Sequence, residues 1–143
     1  MGRFYLGTLK MDEAIFRIEK SVNRADSLKK MSEERLEDIK SETKTYKIIE
    51  EYYEIIKELI TALMYADGFK TLSHKSLIYY LEKNYKEFDK GEIILIDGLR
   101  KLRNNITYYG ERVEDIFLIN NEKEIVLVIN KLRKIIEIKI EKT

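Results

Sequence analysis

The sequence predicts an all-α fold, an up-down bundle of four long helices with one short extra helix. Three observations point there. Apolar residues recur every three or four positions along most of the 143 residues. No proline interrupts any segment. The only stretch alternating with period two, IEIKIEK at 136–142, has no evident strand partner and is therefore read as helix.

The elements follow in order. Met11, Ile15, Ile18, Val22, Ala25 and Leu28 predict a first helix over Met11–Lys30. The acidic segment MSEERLEDIKSET after it is either a short helix or a long turn. Lys44–Ala66 is the clearest helix. Tyr46, Ile49, Tyr53, Ile56, Ile60 and Leu63 form one stripe, and Ile48, Tyr52, Ile55, Leu59 and Ala62 form a second beside it. So wide an apolar face belongs to a central helix with several neighbours. Gly68 is its expected stop. Ser73 is a natural N-cap for a short third helix, HKSLIYYLEKNY. Asp89 and Glu92 form a capping box for the fourth helix, whose buried stripe is Leu95, Leu99, Leu102 and Ile106. Gly110 in YYGERVED ends it. Asn121 with Glu124 resembles another capping box, placing the fifth helix from about Asn121 to Ile138, with Ile125, Ile129, Leu132 and Ile136 on one face. No internal repeat or linker divides the chain, so residues 1–143 are expected to be one domain.

Composition excludes several classes. Lys plus Arg is 27 and Asp plus Glu is 26, so overall charge selects no partner. There is no cysteine, hence no disulfide and no thiolate nucleophile or ligand. A single histidine, His74, excludes a multi-histidine metal site within one chain. No metal or other cofactor is expected. No apolar run approaches the roughly 18 residues of a membrane span. The opening MGRFYLGTLK has no signal-peptide core, and Leu6 stands where myristoylation wants Ser or Thr. A cytoplasmic protein is expected. Heavy use of Ile, Lys and Glu suggests a thermophilic source.

The chemistry concentrates in LRKLRNNITYYG, residues 99–110. On a helix Arg100, Arg103 and Thr107 share a face, and Asn104 adjoins Tyr108 one turn later. An arginine fork suits phosphate, amides suit a ribose or base edge, and tyrosine can stack on a base. Arg100, Arg103, Asn104, Thr107 and Tyr108 are thus candidate RNA- or nucleotide-binding residues. Solvation and helix capping are the plainer reading of the same side chains. His74, in the first turn after Ser73, is the one group with an ordinary pKa near neutrality. The basic runs RKLR (100–103) and KLRK (131–134) would form a phosphate-attracting surface if their helices are neighbours.

LRKLRNNITY resembles the signature of HEPN domains, small helical bundles in which an arginine and a polar residue, often asparagine, precede a histidine near the end of the penultimate long helix. Arg103 and Asn104 occupy the first two places, and Tyr108 stands at the histidine place. ALMYADGFKTLSHKSLIYYL resembles the family's junction between second and third helices, and the likeness spans about residues 45–110. The resemblance implies a homodimer with the signature helices near its interface. It also implies metal-independent ribonuclease activity in intact members, frequent toxin–antitoxin roles, and in some cases a nucleotidyltransferase partner. Members lacking the histidine are thought to bind RNA or nucleotides without cutting them.

Tyrosine is a poor substitute. Its ordinary pKa near 10 must fall by about three units, roughly 4 kcal/mol, to serve as base at neutral pH. The sequence therefore favours an RNA- or nucleotide-binding module with a degenerate site. The alternatives are an active endoribonuclease using Arg103 with Tyr108 or His74, and a structural protein-interaction domain.

Overall fold

The computed structural model describes residues 14–142. In chain order these form β1 (Ile15–Arg17), α1 (Val22–Ile39), α2 (Thr45–Asp67), β2 (Phe69–Thr71), α3 (His74–Asn84), α4 (Lys90–Tyr109) and α5 (Ile116–Glu141). The four long helices and the short α3 make an all-α bundle, as the apolar spacing predicts. The only sheet among the described residues pairs β1 antiparallel with β2.

The start of the chain corrects the predicted first helix. Met11 lies outside the described residues. Ile15 and Ile18 keep helical spacing with Val22, yet their backbone bonds elsewhere. Ile15 pairs with Thr71 and Arg17 with Phe69 in the ladder. The Ile18 N–H donates to the Gly68 carbonyl at 2.9 Å, and the Ser21 N–H to that of Tyr65 at 2.9 Å. The helix begins only at Ser21, whose hydroxyl accepts the Arg24 N–H at 3.2 Å. It then runs on through MSEERLEDI to Ile39, so most of the acidic stretch belongs to α1, and its last four residues, KSET, lie in the turn before α2. Arg35 on this extension reaches α2, donating to Glu51 at 2.7 Å and to the buried Glu58 at 3.0 Å.

Helix α2 is central, as its two stripes predict, and packs against all four other helices. Ile49, Tyr53, Ile56, Ile60 and Leu63 of one stripe and Ile55, Leu59 and Ala62 of the other are buried. Each fully buried branched side chain contributes roughly 1.5–3 kcal/mol against its exposed state. Gly68 ends α2 at φ 91°, with its N–H bonded back to Tyr65 and Met64. A Cβ there would come within 3.1 Å of the Ile18 carbonyl oxygen, so glycine is required both for its angle and for the close approach of the chain entering α1. The preceding Asp67 is a junction. One carboxylate oxygen accepts from the phenols of Tyr80 at 2.6 Å and Tyr85 at 2.5 Å, and the other pairs with Lys139 at 2.7 Å. It ties the end of α2 to α3 and to the end of α5.

The predicted caps of α3 and α4 are present. Ser73 accepts the Ser76 N–H, and Asp89 and Glu92 form a reciprocal capping box. Gly110 ends α4 in the left-handed conformation. The start of α5 differs from prediction. The helix begins at Ile116, and the Asn121 amide donates to the Phe117 carbonyl within it at 2.8 Å, so Asn121 caps nothing. The IEIKIEK tail is helical to Glu141.

Candidate functional site

The packing of α4 against α2 decides which side chains of the 99–110 segment are buried. Ile96, Leu99 and Ile106 are buried there, whereas Leu95 and Leu102 are only partly buried. Arg100 turns inward with them, contrary to its expected place on a wet face. Its buried guanidinium donates to Asp97 at 2.9 Å. Burial alone would raise the Asp97 pKa, but hydrogen bonds from Arg100 and Lys101 outweigh it and hold the carboxyl below its ordinary range.

One turn on, the Arg103 guanidinium carbon lies 5.9 Å from the centroid of the Tyr53 ring on α2. The His74 imidazole lies 5.8 Å from that same ring, tilted by 39°. The structure thus brings two candidates that stand far apart in sequence, Arg103 and His74, to the same Tyr53 ring. Lys57 stands on the same side of α2, paired with Glu54 at 2.7 Å. Glu54 answers Lys57, and Asp97 answers Arg100 and Lys101. Among the described residues no carboxylate pairs with Arg103. Its one hydrogen bond among the described residues is a long 3.4 Å contact to the Asn104 amide oxygen.

The electrostatics are consistent with this crowding of positive charge. Burial holds the His74 pKa below its ordinary 6.5, and Lys57, Arg103 and Arg100 lower it further against an opposing pull from Glu54. The imidazole is therefore neutral at pH 7 and able to accept a proton. Burial pushes the Tyr53 phenol up to about 12, against Arg100 and Arg103.

The rest of the expected patch disperses. Thr107 donates to Glu50 on α2 at 2.9 Å and is thereby committed to a helix–helix contact. Tyr108 is 68 % exposed and makes no hydrogen bond or ring contact with any described residue, Arg103 included. Tyr109 is exposed, as its place before Gly110 predicts. The second basic run is already engaged, since Lys131 binds Glu92 at 2.7 Å and Arg133 binds Glu33 at 2.9 Å. It does not extend the first.

Sequence reasoning missed Tyr53 as the neighbour of Arg103, and Glu54 and Lys57 as charges near His74. A signal existed: Glu50, Glu54 and Lys57 form a polar line at helical spacing beside the apolar stripes of α2. No group of three or more His, Asp or Glu among the described residues could hold a metal ion. No helix of the described residues is long and apolar enough to cross a membrane. Comparison of the chain with family models, with curated proteins and with solved structures gave no match.

Proposed function

We propose that this chain is a HEPN-like module that binds RNA or a nucleotide through Arg103, with a ribonuclease site that has lost its general base. On this reading it acts as a homodimer, in a toxin–antitoxin or nucleotidyltransferase pair. The observation that carries the proposal is Arg103, paired with no described carboxylate, whose charge acts on His74 together with those of Lys57 and Arg100. A phosphate supplies the anion that no described carboxylate does. The isolation of Tyr108, at the place where the family signature has histidine, supports the loss of cleavage.

The test is a salt titration of single-stranded RNA binding. Affinity should fall steeply as salt rises. Arg103→Ala should cost roughly 1.5–3 kcal/mol, the range for a hydrogen bond to a charged group. If no RNA or nucleotide binds at low salt, or if Arg103→Ala binds equally well, the structural protein-interaction reading replaces this one.

One observation favours a second reading, an active endoribonuclease. His74 is held neutral in the same corner as Arg103. The imidazole would take the proton of a ribose 2′-hydroxyl. The freed oxygen would attack phosphorus as Arg103 stabilises the added charge, and the bond to the 5′ oxygen would break. The products are a cyclic phosphate and a 5′-hydroxyl, protonated from solvent. Chelator-resistant cutting abolished by both Arg103→Ala and His74→Gln would establish it.

A further inference from the structure

Helices α3 and α4 leave between them a groove of about 720 Å³, within the range of small-ligand sites. It adjoins the Tyr53 corner through Arg100, which lines the groove and whose charge acts on both Tyr53 and His74. The floor is Gly98. A Cβ built there meets no atom within 4 Å, so nothing in the described chain fills the space above it. A mid-helix glycine is unfavourable relative to alanine, and no contact within the described chain accounts for it. One turn earlier Ile94 is 67 % exposed on the groove's edge. Tyr79 lines the opposite helix, and its ring already attracts a cation, the Lys83 ammonium at 5.6 Å.

The lining carries one more positive charge than negative, with Arg100 the buried one. Lys75, Arg100 and Lys101 stand against Glu82 and Asp97, and Asp97 is held by both Arg100 and Lys101. An apolar floor, an aromatic wall and a net positive lining suit a flat base carrying a phosphate. A second groove, of about 760 Å³ at the end of α4, carries Glu50, Glu111 and Asp115 against Lys44 and Arg112, an acidic surplus that repels phosphate.

We propose that the α3–α4 groove is a nucleobase subsite, in which one unstacked base of single-stranded RNA lies over Gly98 between Tyr79 and Ile94. The adjoining phosphodiester is the one held at Arg103, so this inference rests on the phosphate-binding role proposed above. Duplex RNA is excluded by the same geometry, because only a base turned out of its stack can reach the floor.

The experiment compares a short single-stranded oligoadenylate with an abasic oligomer of the same length, by fluorescence anisotropy at low salt. Wild type should bind the base-bearing oligomer about tenfold more tightly, the usual worth of one stacked base. Gly98→Leu should erase that preference while retaining the salt-sensitive affinity for the abasic oligomer. Leucine is a good helix former, so α4 should melt no earlier. Tyr79→Ala should reduce the preference in the same way, and it decides the matter if Gly98→Leu fails to fold. Equal binding of the two oligomers by wild type overturns the subsite, as does a preference unchanged in both variants. A Gly98→Leu protein that keeps its preference but changes oligomeric state overturns it too, assigning the groove to a second copy of the chain. If wild type binds neither oligomer, the Arg103 reading falls and the subsite with it. If Arg103→Ala weakens both oligomers equally and Gly98→Leu changes nothing, only the subsite falls.

Discussion

Arg103 lies against the ring of Tyr53, its guanidinium carbon 5.9 Å from the centroid, although one residue belongs to α4 and the other to α2. The ring is almost wholly buried, so it serves as a rigid support for a cation that has no paired carboxylate among the described residues. His74 contacts the same ring from α3. Three helices therefore meet at one side chain, and changes to that side chain should separate packing from charge.

Tyr53→Phe keeps the ring and should leave stability within about 1 kcal/mol of wild type, since no hydrogen bond is made by the phenol among the described residues. Tyr53→Ala should cost about 3–5 kcal/mol, the range for a large buried ring, and should also displace Arg103 and His74. Urea unfolding of both variants measures this. A Tyr53→Ala protein as stable as wild type would mean that the three helices do not depend on this ring.

His74 should make stability depend on pH in a known direction. Its folded pKa lies below the ordinary 6.5 because of burial and the nearby Lys57 and Arg103. Between the two values the unfolded chain binds more protons than the folded one, so folding stability rises with pH. The contribution is complete above about pH 7 and is lost as pH falls through 6.5 toward the folded pKa. His74→Gln should flatten this part of the profile. Urea midpoints for both proteins at about pH 7.5 and pH 5.5 give the comparison, and parallel profiles would show that His74 is not desolvated.

Gly68→Ala should destabilise the protein by more than about 1 kcal/mol. Alanine pays for the left-handed conformation, and its Cβ meets the Ile18 carbonyl. Gly110→Ala carries the conformational cost alone, because a Cβ there meets nothing. The difference between the two thermal midpoints isolates the β1–α1 approach, and equal midpoints would show that the approach relaxes freely.

Asp67→Asn should cost about 2–4 kcal/mol, because the amide weakens two phenol hydrogen bonds and removes the ion pair between Asp67 and Lys139. Burial and Asp67 both push the Tyr80 and Tyr85 phenols well above the ordinary range. Spectroscopic titration of the tyrosines should therefore show fewer groups resisting ionisation in the variant. An unchanged titration would argue that burial alone holds the phenols up.

The proposed homodimer predicts twice the monomer mass by light scattering at about ten micromolar, a concentration above the Kd of most specific complexes. Leu72, Ile119 and Tyr109 are among the large apolar or aromatic side chains that stay exposed on one copy. A monomer at that concentration would remove dimerisation from the proposal.

The sequence by itself determined the all-α class, the central place of α2, the caps at Ser73 and Asp89, and the stops at Gly68 and Gly110. These depend on apolar spacing and on backbone groups satisfied within a few residues, so they are written locally. It also marked Arg103 and His74. Tertiary structure alone decided the rest. β1 forms because its partner, β2, lies beyond a whole helix pair, and a three-residue ladder has no periodicity to read. Asn121 and Glu124 have the spacing of a cap, but α5 starts earlier and encloses them, since a cap motif acts only where the chain leaves the helix. Arg100 and Arg103 are one turn apart and look equivalent in sequence. The phase of α4 against α2 sends Arg100 to Asp97 and Arg103 to Tyr53. Only packing brings His74 to that ring, because contacts between helices are set by three-dimensional register and leave no mark in either segment alone.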